Sequence, residues 1–426
     1  MKWWIPLISS LLVITLLSIL FTWLIEEGPL LTVDRQLRSS IPVATSSEAP
    51  SSVIYVTIRD ISDQTWPWPP LDYAILLNSI VPFFPKTVAF DHLPQASSSS
   101  REAVYERQLL KQMARLNQAV TPIRLYATGA QESELPTRVL SVATIGPLGE
   151  VPAYSVGDWP DDQFKPYPTG VSVFRPDMDG IHRLAPLVFQ FRESFLPSLA
   201  LQAYCQFLDA DWHHSGVLLG KHILLRNDLG EELVRIPIDQ EGNLQLTRQD
   251  EDVRVESVEF YSVILAAEQR RVGSQTDLDM GMFRNSLVVI GRDADGTYEP
   301  LETIFGTLSG GQFQAEILQQ LVEKRWIRSL RPYESFILVF TIMSLASFLH
   351  LLPRSWIIWT LLGTGLLVFS FLSYYLVQSQ MLWVSPLTTL LPWLTGGLVG
   401  WMAYASAVFR QTRTDSLWYR ESELPF

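Results

Sequence analysis

Two short β-branched runs near the start of the chain each end in an aspartate. A carboxylate at the end of a buried strand is placed to hold a cation or a polar ligand. Asp60 follows the run VIYVTI at 53–58, and Asp91 follows TVAF at 87–90. Between them, WPWPP at 66–70 carries two indoles, Trp66 and Trp68, whose faces attract cations or stack on a ligand. Each residue has a plainer role as well. Asp60 and Asp91 serve equally as caps of the segments that follow. Proline fixes φ and restricts the residue before it, so Trp66 and Trp68 suit a rigid lid packed on the core.

A second acidic group lies at 175–183 (RPDMDGIHR), where Asp177, Asp179, Gly180 and Arg183 fall in one tight stretch. A calcium loop needs several oxygen ligands within about 12 residues. Here no third acidic residue follows at regular spacing, and position 188 is Val. The expected structure is a turn closed by Asp and Gly, with Arg183 bracing it on Asp177 or Asp179. GVLLGK at 216–221 is one residue short of a phosphate loop and is followed by His222 rather than Ser or Thr. His213, His214 and His222 read as an exposed polar loop, so neither a metal nor a cofactor is expected. No Gly-x-Ser-x-Gly, His-Glu-x-x-His or Gly-x-Gly-x-x-Gly occurs, and no enzymatic activity is expected. Cys205 is the one cysteine, which excludes an intrachain disulfide. The net charge of −12 argues against nucleic acid or anionic lipid as partners.

Residues 53–91 outline the unit that must position the first group: strand, apolar helix over 71–78, strand, in the manner of a parallel βαβ unit. Further on, 101–118 reads as an amphipathic helix with Val104, Leu109, Leu110, Met113 and Leu116 inward. Residues 120–127 and 141–145 are strand-like, and 146–168 is expected to be a long surface excursion. Residues 171–174 and 184–191 are expected to flank the Asp-Gly turn as an antiparallel hairpin. A helix is expected over 198–208 with Ser198 as N-cap. A meander follows at 223–226, 233–238 and 244–246, then a helix at 257–271, a buried strand at 287–290 and a helix at 312–324.

The stretch from Val53 to His92 resembles the CHASE2 domain, an extracytoplasmic sensory module of bacterial membrane receptors. That family has a strand, an acidic-Ser turn, a Trp-Pro-Trp-Pro signature, a helix and a Val-Ala-Phe-Asp strand in this order. RPDMDGIHRLAPL at 175–187 is similar to the family's Asp-x-Asp-Gly-x-x-Arg turn. LPSLAL at 196–201 and SLVVIG at 286–291 are similar to the helix start and the late strand that follow it. The chain departs from the pattern at Pro70, where a basic residue is common, at His182, where a second Arg is frequent, and at Gln314, where a His is common. The resemblance implies an α/β fold with a mixed sheet, lying outside the cytoplasm.

Apolar runs at 3–25, 333–352, 356–377 and 381–409 are long enough to span a bilayer. One N-terminal and three C-terminal transmembrane helices are therefore expected. They divide the chain into a signal anchor (1–25), an extracytoplasmic domain (26–332), three spans (333–409) and a short cytoplasmic tail (410–426). With the resemblance, this implies a multi-pass protein of the bacterial inner membrane with both termini in the cytoplasm. Gly396-x-x-x-Gly400 permits close helix approach, either to a second copy in a homodimer or to spans two and three of the same chain. Receptors of the family usually continue into a kinase, cyclase or phosphatase, and the tail is too short for one. The expected function is a non-catalytic sensor that perceives a small molecule or a protein and signals through a partner in trans. The alternative is a structural or assembly protein that uses the same domain as an interaction surface.

Overall fold

The computed structural model describes residues 4–26, 28–41, 52–59, 69–94, 102–127, 134–136, 141–145, 151–177, 179–248, 254–293, 300–352 and 355–422. Two units are distinguished, one of residues 1–43 and 327–426, the other of residues 44–326. Helices α1 (Trp4–Glu26) and α2 (Leu30–Ser40) open the first unit.

The unit of residues 44–326 is built on a seven-stranded sheet. Its strands are β1 (Val53–Ile58), β2 (Thr87–Phe90), β3 (Ala119–Tyr126), β4 (Val156–Asp158), β5 (Thr169–Val171), β6 (Glu256–Glu259) and β7 (Leu287–Arg292). The order is β6-β1-β7-β2-β3-β4, with β5 also paired to β3. All pairs are parallel except β3 with β4. Every residue of β1, β2 and β7 is buried, as expected of parallel strands covered on both faces. Side chains alternate between the two layers with period two. Ile54, Val56 and Ile58 join Val88, Phe90, Val288 and Ile290 under α3 (Pro70–Ile80), α4 (Glu102–Met113) and α6 (Phe260–Arg271). Val53 and Tyr55 join Ala89, Leu287 and Val289 under α5 (Leu199–Phe207) and α7 (Gly310–Val322). Ser198 caps α5, its Oγ accepting from the Leu201 N–H at 3.0 Å.

Several expected elements pair differently. Residues 171–174 and 184–191 do not form a hairpin: β5 pairs with β3, 184–186 with 243–245, and 188–191 with 194–197. The meander is shifted by one strand: 222–226 pairs with 232–237 on one side and with 216–218 on the other, and 243–245 leaves it. Residues 146–168 are no surface excursion where they are described. Val151 and Phe164 are buried, and β4 extends the sheet. The helix expected at 257–271 starts at Phe260, because Glu256–Glu259 joins β1 as an edge strand. Leu109 and Met113 face the core as expected, whereas Val104 is exposed.

The first unit resumes with α8 (Pro332–Phe348), α9 (Ser355–Gln380) and α10 (Pro386–Ser422). Among the described residues, Trp356–Ser379 is the one helix long and apolar enough by itself to cross a membrane. Ser10–Ile25 and Leu30–Arg38 meet that test only as a pair bent by 62°, and Pro332–Phe348 is a shorter apolar helix. Of the expected one-plus-three spans, this test picks out one helix by itself among the described residues. The last apolar run also begins differently. Leu382–Trp383 is a short strand beside Arg328–Ser329, and α10 starts only at Pro386.

The small-residue seam of α10 is occupied within the chain. A Cβ on Gly396 would lie 2.4 Å from the Met343 carbonyl oxygen, and one on Gly400 would lie 2.5 Å from that of Ser347. Both contacts are to α8, while Gly397 faces Leu362 of α9. Gly396→Val is therefore expected to push α10 off α8 and cost roughly 1–3 kcal/mol. A thermal unfolding midpoint of the detergent-solubilised chain that stays put would show that the seam is not closed this way.

The connection between α9 and α10 is tied to two other stretches of this unit. The Trp383 indole donates to the Asp34 carboxylate on α2, at 3.1 and 3.0 Å from its two oxygens. The Arg328 N–H donates to the Met381 carbonyl at 2.8 Å, and the Arg38 guanidinium donates to the carbonyl of Ile327.

Candidate functional site

β2 and β7 are neighbours in the sheet, and their continuations part at the carboxyl edge. β2 leads to α4 in one layer, whereas β7 leads through the hairpin 301–308 to α7 in the other. Such a parting opens a crevice outside the strand ends, and ligands of open α/β sheets gather there. A cavity of about 220 Å³ occupies this position. Asp91 and His92 enter it from the end of β2, and Arg292 and Asp293 from the end of β7. Arg124 of β3 adds a guanidinium, while Ser172 and Phe174 follow β5. The remaining wall is Leu301 with the Ser309–Gly310 start of α7.

Asp91 is buried at 4% exposure. Ser172 Oγ donates to its Oδ1 at 2.7 Å, and His92 Nδ1 lies 2.9 Å from its Oδ2. The other imidazole nitrogen, Nε2, meets the Arg124 guanidinium. Burial pushes the Asp91 carboxyl pKa up, but His92, Ser172 and Arg124 outweigh it and hold the group below the usual carboxylate range. On the opposite wall Asp293 pairs with Arg59 at 3.1 Å.

The start of α7 is held against the sheet by two glycines. A Cβ on Gly291 or Gly311 would lie 3.0 Å from the Cα of the other, and both would crowd Tyr55. That approach lets the Tyr55 hydroxyl donate to the Arg292 carbonyl at 2.9 Å and share a hydrogen bond with Ser309 Oγ at 3.2 Å. Ser309 in turn caps the helix, accepting from the Gln312 N–H at 3.2 Å. The first-turn N–H groups of a helix lack intrahelical partners and carry its positive end. Here that end borders the cavity.

Of the residues singled out in the sequence, Asp91 stands in this crevice. Asp60, Trp66 and Trp68 lie outside the described residues. The second acidic group forms a closed turn. Arg183 donates to Asp177 at 3.2 Å and to both oxygens of Asp179 at 2.7 and 2.8 Å. Gly180 sits at φ +82°, a backbone conformation that disfavours any side chain. The turn lies behind the crevice, since its neighbour His182 packs edge-on against Phe174. Gln314 is also behind it, donating to Ser172 Oγ at 3.4 Å. Two of the positions at which the chain departs from the resembled pattern thus support crevice walls.

The phosphate-loop likeness at 216–221 ends in a strand hairpin rather than a helix start. His214 pairs with Asp211 at 2.8 Å in an exposed loop. Among the described residues, no group of three His, Cys, Asp or Glu is placed to hold a metal.

Arg124, Ser172, Arg292, Asp293 and Ser309 were not anticipated. Arg292 and Asp293 follow the apolar run 287–290 much as Asp91 follows 87–90, so their place at a strand end marks them in the same way. Nothing local marks Arg124 or Ser172.

No curated protein and no solved structure matches the chain. The family model of the CHASE2 domain matches residues 9–351. That span takes in all of β1 to β7, the crevice and the closed Asp-Gly turn. Over most of its length, the chain belongs to the CHASE2 family of extracytoplasmic sensory domains.

Proposed function

We propose that the chain is a non-catalytic, membrane-bound sensor whose α/β domain perceives a small ligand in the crevice between β2 and β7. The observation that carries this reading is the cavity itself. It stands at the parting of two parallel strands and is walled by charged groups of both signs with an apolar contribution from Phe174 and Leu301. Concave sites with a few convergent polar groups are the usual form of a small-molecule site.

In this reading the apolar helices α1, α8, α9 and α10 cross the inner membrane, residues 26–332 lie outside the cytoplasm, and both termini lie inside it. The state of the domain passes to a partner protein through these helices. The chain enters the domain after α2 and leaves it before Ile327, and both stretches are bonded to one another or to the α9–α10 connection. Movement at either junction is thereby felt at α9 and α10.

A thermal-shift screen of the full chain in nanodiscs, against small molecules and divalent cations, tests the reading. Ligands of the folded state raise the midpoint by mass action. Gly310→Met should abolish a genuine response, because a side chain there starts 3.5 Å from Phe174 and 4.0 Å from the Asp91 carboxylate. Silence from the whole screen, with a membrane protein co-purifying in fixed ratio, would move the assignment to an assembly protein.

A further inference from the structure

Helix α2 turns charged residues to the protein and apolar ones away from it. At about 3.6 residues per turn, its side chains fall into three sectors. Asp34 and Arg38 face the rest of the unit: the Trp383 indole donates to Asp34, and Arg38 is buried and donates to the Ile327 carbonyl. Val33 and Leu37, one turn apart, are 40% and 36% exposed, with Leu30 half-buried beside them. Thr32 and Gln36 are exposed on the remaining side. An amphipathic helix packed on a protein in water buries its apolar stripe and shows its charges. Here Asp34, Arg35 and Arg38 all lie outside the sector of Val33 and Leu37. Three sectors of this kind suit three surroundings: protein, water and an apolar phase.

The neighbouring chain identifies that phase. α2 comes directly after the apolar helix α1, and the two are bent by 62°. Gly28 and Pro29 build the bend. A Cβ on Gly28 would lie 2.7 Å from the Leu24 Cα, and the Gly28 N–H donates to the Trp23 carbonyl at 2.9 Å. Proline at 29 has no N–H with which to continue α1. A helix at that angle to a span along the bilayer normal lies nearer the membrane plane than the normal. Trp and Tyr gather at the level where spans meet water. Trp23 at the end of α1 and Tyr333 at the start of α8 are 51% and 55% exposed.

Resting on the reading above that α1 crosses the membrane, we propose that α2 lies in the outer headgroup layer of the bilayer, with Val33 and Leu37 inserted at the acyl boundary and Thr32 and Gln36 toward water. Amphipathic helices take this position when one face is apolar. The contact is made with phospholipid in general rather than with an anionic headgroup, since the inserted sector carries no cation. The same helix holds Trp383 and the Ile327 carbonyl. Its depth therefore sets the height of the α9–α10 connection and of the stretch leading into α8.

The test uses the full chain in phosphatidylcholine nanodiscs, with nitroxides on single introduced cysteines. The native Cys205 is fully buried, and the chain without an added cysteine gives the background. Val33→Cys and Leu37→Cys report the inserted sector, and Thr32→Cys the water side. Leu16→Cys, exposed on α1, is the reference for the span, and Leu229→Cys, exposed in the α/β domain, the reference for water. Molecular oxygen concentrates among acyl chains, whereas a water-soluble nickel chelate is excluded from them. The ratio of oxygen to chelate accessibility is expected to fall from Leu16, through Val33 and Leu37, to Thr32 and Leu229. The unfolding midpoint of each labelled variant shows whether it folds.

A ratio at Val33 and Leu37 equal to that at Leu229, with Leu16 still oxygen-rich, would overturn the interfacial placement and leave the span intact. A ratio at Thr32 as high as at Leu16 would mean that α2 runs on into the acyl core, which also overturns it. Low accessibility to both reagents at Val33 and Leu37 would show that protein, not lipid, covers the sector. If Leu16 itself matches Leu229, the membrane reading fails and the placement with it.

Discussion

Asp91→Ala is expected to destabilise the sensory domain by roughly 3 kcal/mol, because two buried partners lose their acceptor and each unsatisfied group costs ~1–3 kcal/mol. The Ser172 hydroxyl and the His92 Nδ1 both point at a carboxylate that is 4% exposed. Asp91→Asn keeps the shape and one acceptor and should cost less. The effect has a definite pH window. The carboxyl pKa is held below its ordinary value of 3.8 in the folded protein. On acidification the unfolded chain therefore takes up the proton first. The stabilisation from the charged form is present above the unfolded pKa and is lost as pH falls through the folded one. The gap between the native chain and Asp91→Asn should accordingly be widest near neutral pH and close in acid. Denaturant unfolding of the two proteins across that range measures it, and a gap independent of pH would contradict the assigned network.

Glu316→Gln should act in the opposite sense and stabilise the domain at alkaline pH. Glu316 lies on α7, 1% exposed, with its Oε1 accepting from the Val255 N–H at 3.3 Å. Its Oε2 has no hydrogen-bond partner among the described residues. Burial raises the pKa from 4.5 to about 7; the Val255 N–H and Arg254 pull it down and Glu323 pushes it up. Because the folded value lies above the unfolded one, the folded protein holds the proton longer. Stability from the neutral form is complete below pH 4.5 and falls until the folded group ionises near pH 7. One pKa unit corresponds to about 1.4 kcal/mol, so the loss across this window is on the order of 3 kcal/mol. Glutamine keeps an acceptor for Val255 and never ionises. The variant should match the native chain below about pH 4 and exceed it by up to about 3 kcal/mol at pH 8. Identical pH profiles for the two proteins would show that the site is more polar than its contacts indicate.

These two carboxylates occupy different surroundings within one domain. Asp91 is fed by donors from two neighbouring loops and stays charged in the interior. Glu316 meets one backbone N–H and is pushed toward neutrality. The first belongs to the crevice, and the second lies on the core side of α7, where one of its two oxygens has no hydrogen-bond partner among the described residues.

Much of the local structure is written in local residues. Near-continuous apolar runs rich in β-branched residues make β1, β2 and β7 strands because such side chains suit a pleated surface buried on both faces. Ser198 announces a helix because its hydroxyl meets the needs of an unpaired first turn. The Asp-x-Asp-Gly-x-x-Arg stretch closes on itself because its partners are at most six residues apart. Asp91 could be singled out because the end of a buried parallel strand is where polar side chains first reach solvent. Strand order is another matter. β7 lies between β1 and β2 although nearly 200 residues separate it from β2, and any of the buried runs would satisfy that place by composition alone. Only the folded chain decides that Arg292, Asp293 and the start of α7 stand opposite Asp91, or that Arg124 joins them from β3. Short-range propensity selects the type of each element, whereas neighbours are selected by burying both faces of all strands at once. The crevice is a product of that second selection.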